Sequence, residues 1–391
     1  MEFLLFIKLL RMKTCKKKVV IMNATFDGSA HEIIDASIII MLSSIYSIVE
    51  VKFLNKRSSI IENIVRSHIK GNNVRFVPFR NDIRKGALHD LWAAILEFWT
   101  ILIGSHRNLY ISTFNNMFSC HLNNFVSRLM SKKVILFCHS EVNVVTRSNY
   151  KMKDFWAYLI NRFYTESHLG RNVKLVVLGD HILRELPKYI NSKRMKHFYS
   201  IDHPYFKDGE TFGTHQLDKN NIKIGVIGGV SKDSTHGYKN ILHFAEYLSS
   251  NANFKIYLIS SVSKEVRDSF PNNVVIVNKK EGYLPRKEYE EAIETMDYIL
   301  LPYSSSEYNL IASGAVLEAI VRNKPIIMYT NNYFRYLTEK YGKFGYFVEE
   351  DKDLINHLND DINYLRLANG EKQIAKRLLP SEIRKQLIGL L

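Results

Sequence analysis

One stretch of this sequence carries the residue types that hold a phosphorylated ligand: Tyr298 to Tyr329, YILLPYSSSEYNLIASGAVLEAIVRNKPIIMY. An apolar strand ends at Pro302 and a Ser/Glu/Asn loop follows. A helix then opens at Ser313 and Gly314 and carries Glu318 in its second turn. A helix N-terminus offers unpaired N–H groups and a positive dipole end to an anion. Gly314 lets a ligand approach the backbone closely. The carboxylate of Glu318 is placed to accept both hydroxyls of a ribose. A nucleoside diphosphate suits that set. The same residues also read as an ordinary helix start, with Ser313 as N-cap and Glu318 on the surface.

Two polar clusters stand at strand ends in the first half. Cys138, His139, Ser140 and Glu141 follow the apolar run VILF, and Phe26, Asp27, Gly28 and Ser29 follow KVVIMN. His139, Glu141 and Asp27 each offer a group that can take a proton from a hydroxyl. Asp27 reads equally as a turn former before a helix, and His139 as a structural histidine.

The elements that must position these groups alternate strand and helix from end to end. Lys18–Asn23, Val49–Leu54, Val74–Val77, Asn108–Thr113, Lys133–Cys138 and Lys174–Leu178 read as strands, with helices such as Leu88–Ile103 and Phe118–Met130 between them. A polar stretch around Asp202 to Lys219 interrupts the pattern. It resumes with strands at Ile222–Ile227, Phe254–Ile259, Val274–Val277, Tyr298–Leu301, Pro325–Tyr329 and Gly345–Val348. Short β-branched runs separated by helices predict parallel sheets covered on both faces. The division expected is a leader over 1–17, a basic domain over 18–205, a linker over 206–220, a second domain over 221–370 and C-terminal helices over 371–391. Two doubly wound Rossmann-like α/β domains place ligands outside the carboxyl ends of their strands, here in the cleft between the domains.

The 391 residues suffice for two domains, and 46% hydrophobic content supports a full core. Residues 1–200 hold 30 basic and 14 acidic side chains, whereas residues 201–391 hold 24 and 25. The whole excess of +15 therefore sits in the front half, which argues against a uniformly basic nucleic-acid coat and for a negative partner of that half. Cys15, Cys120 and Cys138 form no framework or CxxC pair, so a reducing compartment is expected. No interior apolar stretch is long enough to span a bilayer. The opening MEFLLFIKLL reads either as a short interfacial anchor or as a leader before a start at Met12. The Trp92, Phe98 and Trp99 helix reads as core or as apolar contact with a membrane. The run Lys193 to Lys196 reads as a solvated face.

The stretch Leu301-Pro302, Ser304, Glu307, Gly314, Glu318-Ala319 and Asn323-Lys324-Pro325-Ile326 resembles the nucleotide-sugar site of GT-B-fold glycosyltransferases, in particular those of bacterial envelope-polysaccharide synthesis. The retaining members pair two glutamates. Glu318 matches the second, which binds the donor ribose; the first position holds Leu310, and Glu307 lies three residues earlier. The resemblance implies that Gly228 and Gly229 in IGVIGGVSKDSTHGYKN wrap the diphosphate, with Lys239 or Lys232 neutralising it. It implies that Gly282 and Tyr283 in NKKEGYLP wall the nucleobase, and that His139 contacts the transferred sugar. Asp27 or Glu141 then serves as general base.

The expectation is a glycosyltransferase that moves a sugar from a nucleoside diphosphate sugar to a lipid-linked glycan, peripheral on the cytoplasmic face of an anionic membrane. No metal, no bound cofactor and no nucleic-acid partner are expected. Asp351, Lys352 and Asp353 have the DxD spacing of metal-dependent transferases, but they open a helix and read as its cap. His181, His197 and His203 lack metal-ligand spacing. A sugar-nucleotide epimerase and a non-catalytic polyanion binder are the alternatives. A nicotinamide-dependent oxidoreductase is disfavoured, because Gly225, Gly228 and Gly229 do not make GxGxxG and the next strand closes on Ile259 and Ser260 without an acid.

Overall fold

The computed structural model describes residues 17–28, 31–80, 86–147, 150, 154–207, 216–232, 237–259, 261–279, 282, 284–303 and 308–391. The opening apolar segment, most of the linker, Ser29, Tyr283, Ser304 and Glu307 lie outside the described residues. The chain forms two compact units. The first comprises 1–204, 310–312 and 378–391, and the second 205–309 and 313–377.

The first unit is built on seven parallel strands: β1 (Lys18–Asn23), β2 (Ile48–Phe53), β3 (Val74–Phe76), β4 (Leu109–Ser112), β5 (Lys133–Cys138), β6 (Val173–Leu178) and β7 (Phe198–Ile201). Their order is β3-β2-β1-β4-β5-β6-β7. The central strands are apolar almost throughout because helices cover both faces; Val19 to Asn23 and Val134 to Cys138 are all buried. Strand β7 is absent from the sequence reading, since FYSI is short and half-buried. The order runs outward from β1 and then returns to β4. That reversal parts the loops after β1 and β4 and leaves a crevice at their carboxyl ends. The register pairs Met22 with Ser112 and Ser112 with Leu136, so β1 and β4 end within one residue of each other and β5 runs two residues past Ser112's partner.

The C-terminal helix Pro380–Leu390 belongs to this first unit. Gln386 receives the backbone N–H of Asp202 and donates to its carboxylate, both at 2.7 Å. Arg384 reaches Ser44 Oγ at 2.8 Å, and Lys174 Nζ donates to the carbonyl of Leu390. Leu310 is fully buried within the first unit's apolar core. A glutamate there would lose its hydration among hydrocarbon, so the leucine fits a packing role.

The second unit has six parallel strands: β8 (Ile222–Val226), β9 (Phe254–Leu258), β10 (Val274–Ile276), β11 (Tyr298–Leu301), β12 (Ile326–Met328) and β13 (Gly345–Phe347). Their order, β10-β9-β8-β11-β12-β13, reverses between β8 and β11. Ile224 pairs with Tyr298 and Val226 with Leu300, so the two glycine- and serine-bearing loops leave the sheet side by side. Each domain is thus a doubly wound α/β unit.

Candidate functional site

In the second unit the loops after β8 and β11 are fastened together. Tyr303 Oη donates to the Ile227 carbonyl at 2.9 Å, and Asn240 Nδ2 donates to that of Pro302 at 2.7 Å. Gly228 has φ +100°, and a Cβ added there would come within 2.3 Å of Tyr303 Oη. Gly237 has φ +61° and sits as closely on the Pro302 carbonyl. These glycines are demanded by packing between the loops and by backbone conformation.

Gly314 is different. It opens the helix Gly314–Val321, and among the described residues a Cβ added there would meet nothing within 4 Å. Ser313 is buried at the N-cap position but makes no side-chain cap bond. Among the described residues no side chain caps this helix start and nothing fills the space at Gly314, the arrangement an anion needs. Gly229 is half-buried, and Lys232 and Lys239 are exposed. Gly282 takes φ +90° and its carbonyl accepts from the buried Asn278.

Glu318 is not a surface residue. It is only 4% exposed and sits in a charged network. Its Oε1 receives Arg322 Nε at 2.7 Å and Arg286 Nη2 at 3.4 Å, and its Oε2 receives Tyr205 Oη. Arg322 goes on to Glu294 at 2.7 Å and Glu290 at 3.0 Å, and Lys207 also reaches Glu294. Burial alone would raise the Glu318 pKa, but Arg286, Arg322 and the Tyr205 hydroxyl outweigh it and hold the carboxyl below its ordinary value. Glu318 is ionised at neutral pH, with both oxygens already engaged. Lys324 donates to the carbonyls of Glu294 and Met296, so it anchors the turn before β12.

In the first unit, the ends of β1, β4 and β5 bring together residues distant in sequence. His139 is buried, and its Nε2 lies 2.7 Å from the Thr113 carbonyl. A carbonyl only accepts, so Nε2 carries the proton and Nδ1 is the lone-pair nitrogen. Burial first, then the neighbouring His31 and His203, push the His139 pKa well below its ordinary value. Its ring stands 5.3 Å from that of His31 and 5.9 Å from that of Phe114. Glu141 is buried behind it. One carboxylate oxygen accepts the His139 backbone N–H at 2.8 Å, and the other faces Asn115 and Tyr164 at 3.4 and 3.3 Å. Burial pushes its pKa up to about 7. Glu141 thus fixes the backbone of His139. Asp27 is exposed, with Oδ1 accepting the Arg57 N–H at 3.3 Å.

Several residues here were not singled out from sequence. Arg57 is completely buried, holds Asp35 through Nε and Nη2 at 2.9 and 2.6 Å, and donates to the Gly28 carbonyl at 2.8 Å, which shapes the loop after β1. Glu97 is fully buried, accepts from Ala24 N–H, Ser112 and Asn123, and has its pKa pushed up to about 7 by burial. Tyr205, Arg286 and Arg322 were missed as well. The available signal was Glu97 itself, a lone acid in an apolar helical run. Arg194, expected on a solvated face, is instead buried and donates to the carbonyls of Phe163, Tyr164 and Ser167. Asp353 is the N-cap residue of the helix Leu354–Leu358, and Asp351 pairs with His357 at 2.8 Å.

No family model and no curated protein matches this sequence. Solved structures do. HepE from Anabaena, in complex with UDP and glucose, is 14% identical with a TM-score of 0.62 over 96% of this chain and 99% of that one. The lipopolysaccharide outer core galactosyltransferase WaaB, in its apo form, is 13% identical with a TM-score of 0.56 over 95% and 98%. A mutant of S. aureus TarM, in complex with fondaparinux, alpha-GlcNAc-glycerol and UDP, is 10% identical with a TM-score of 0.57 over 96% and 99%. These neighbours are GT-B glycosyltransferases, matched along nearly the whole of both chains.

The chain has the GT-B fold. In the first unit Asp27 follows β1 at the sheet's reversal, and His139 follows β5 and reaches the Thr113 carbonyl beyond β4; in the second, Gly229 and Gly314 lie in the segments that follow β8 and β11 at that sheet's reversal. Among the described residues there is no group of three metal-ligating side chains, and no helix is long and apolar enough to cross a membrane.

Proposed function

We propose that this GT-B protein is a glycosyltransferase that takes its sugar from a nucleoside diphosphate sugar. The helix start at Ser313 and Gly314, with no side-chain cap and no neighbour to a Gly314 Cβ among the described residues, and one turn from an ionised Glu318, carries this reading. UDP is bound in the solved HepE and TarM structures and is the first nucleotide to try.

In the reaction the bond between the sugar's anomeric carbon and the diphosphate oxygen breaks. A bond from the acceptor hydroxyl oxygen to that carbon forms, and the hydroxyl proton passes to a base. The leaving diphosphate needs charge stabilisation, which the helix N–H groups, Gly229 and the exposed Lys232 and Lys239 supply. Glu318 faces the ribose, while Gly282 and Tyr283 wall the base. Asp27 is the proposed proton acceptor, because its carboxyl group is exposed in the loop after β1. Neutral His139 offers Nδ1 as a hydrogen-bond acceptor to the sugar, and Glu141 holds His139 in place. The proposed acceptor is a lipid-linked glycan of surface polysaccharide. The basic first half would then hold the enzyme on the inner, anionic face of the membrane.

Thermal stabilisation by UDP, GDP, CDP, ADP, NAD, UDP-sugars and a short oligonucleotide tests the donor site. Ligand at 100 times its dissociation constant adds about 2.7 kcal/mol. A diphosphate nucleotide is expected to raise Tm, and Glu318→Ala to weaken that shift. Stabilisation by NAD or by the oligonucleotide alone would replace this reading with a dehydrogenase or a polyanion binder. Conversion of a UDP-sugar to its epimer without acceptor would make it an epimerase.

A further inference from the structure

The helix Ala87–Ile103 is inside out. Its buried side holds His89, Ala93, Ala94, Glu97 and Ile101, largely small or polar. Its exposed side holds Leu88, Leu91, Trp92, Trp99 and Ile103, the last 79% exposed. These positions recur at helical spacing, so they form one stripe. The neighbouring helix Ser119–Met130 repeats the inversion: Asn123, Asn124 and Ser127 are buried, while Phe125 and Leu129 are 53% and 62% exposed. Asn123 of the second helix donates to Glu97 of the first at 2.7 Å, and Lys132 caps the carbonyls of Ile101, Leu102 and Gly104. The two helices are thus clamped side by side through polar groups, with their apolar surfaces turned outward. An apolar surface of this extent marks an interaction site.

The charges around it select the partner. Residues 98–140 contain no Asp or Glu, while Arg107, Arg128 and Lys133 are exposed there. A second copy of the same face would bring like charges together. An anionic lipid surface satisfies both features, because tryptophan and leucine enter the interface while arginine and lysine meet the headgroups.

We infer that the outward faces of the helices Ala87–Ile103 and Ser119–Met130 form the surface by which the first unit docks on an anionic membrane. This gives a location to the membrane association proposed above and rests on that reading. The experiment is co-sedimentation of the full chain with vesicles of phosphatidylcholine containing about one-third phosphatidylglycerol, against pure phosphatidylcholine. The wild type is expected to partition to the anionic vesicles. Trp92→Ser combined with Trp99→Ser, Phe125→Ser and Leu129→Ser is expected to weaken partition at least about tenfold, with Tm and nucleotide-induced stabilisation unchanged. Arg107→Glu with Arg128→Glu is expected to remove the preference for anionic lipid. If the wild type ignores both vesicles, the membrane reading itself fails. If the quadruple variant partitions like the wild type, the docking face lies elsewhere. If it instead converts a dimer to a monomer, the face is a protein interface and the inference is overturned. Loss of nucleotide binding by the wild type would touch only the donor site.

Discussion

Tyr205 donates a hydrogen bond to Oε2 of Glu318, the oxygen that Arg322 and Arg286 leave uncovered. Tyr205 is the first residue of the second unit, so the chain entering that unit is tied directly to the carboxylate proposed to hold the donor ribose. A ribose hydroxyl reaching Oε2 competes with this phenol. Tyr205→Phe is expected to lower stability by about 2 kcal/mol, the worth of a hydrogen bond to a charged group, and to tighten nucleotide binding several-fold. Isothermal titration with UDP checks this; weaker binding in the variant would sink the competition.

Arg322 is expected to be the costliest single change in the second unit. Its side chain is 1% exposed and serves Glu318, Glu290 and Glu294. Arg322→Met leaves two largely buried carboxylates short of a partner, for a loss of roughly 3 kcal/mol in urea unfolding. Adding Glu318→Gln should recover part of that loss, because the two changes remove one interaction. Simple additivity would show that the pair is uncoupled.

Gly228 and Gly314 separate packing from function. A side chain at Gly228 collides with Tyr303 Oη and must adopt φ +100°, so Gly228→Ala is expected to lower Tm by several degrees. A Cβ at Gly314 meets nothing within 4 Å among the described residues. Gly314→Val should therefore fold like the wild type and lose at least about tenfold in nucleotide affinity through blocked access to the helix end. Undiminished affinity in that variant would remove Gly314 from the donor site.

Glu97 makes the first unit sensitive to alkali. Its folded pKa of about 7 exceeds the ordinary 4.5, so between these values the native state keeps a proton that the unfolded chain has released. The associated stability is fully present below about pH 4.5 and is lost as pH rises through 7. Glu97→Gln should gain roughly 3 kcal/mol on the wild type between pH 4.5 and pH 8. Denaturant melts at the two pH values measure the change; a constant difference would mean that Glu97 is ionised throughout.

His139 gives a sharper kinetic test. Its pKa lies well below the ordinary 6.5 because burial disfavours the charged ring, so it is neutral at neutral pH and should add no inflection to the pH–rate profile near 6.5. His139→Asn is expected to lower kcat at least tenfold while nucleotide affinity stays within about twofold. A parallel loss of affinity would argue against a sugar-facing role confined to the first unit.

Most of the architecture was legible in the sequence. Twelve of the thirteen described parallel strands announce themselves as short apolar runs because helices cover both faces of each sheet, and only the half-buried FYSI escaped. The position of Gly314 at a helix start and of His139 at a strand end also followed from local pattern, since caps and strand ends depend on nearest neighbours. Other features depended on contacts between distant segments. Glu318 read either as a ribose-binding carboxylate or as a surface helix residue, and its burial and ionisation rest on Tyr205 and Arg286, more than thirty positions away in either case. Arg194 looked solvated within a basic run, and three carbonyls from another helix and its following turn enclose it. The return of the C-terminal helix to the first unit rests on Gln386 meeting Asp202, a pairing with no local signature. Periodicity records which side of an element is buried. Which partner buries a charge is decided only when the sheets bring remote loops together, because a desolvated ion takes whatever counter-charge the fold supplies.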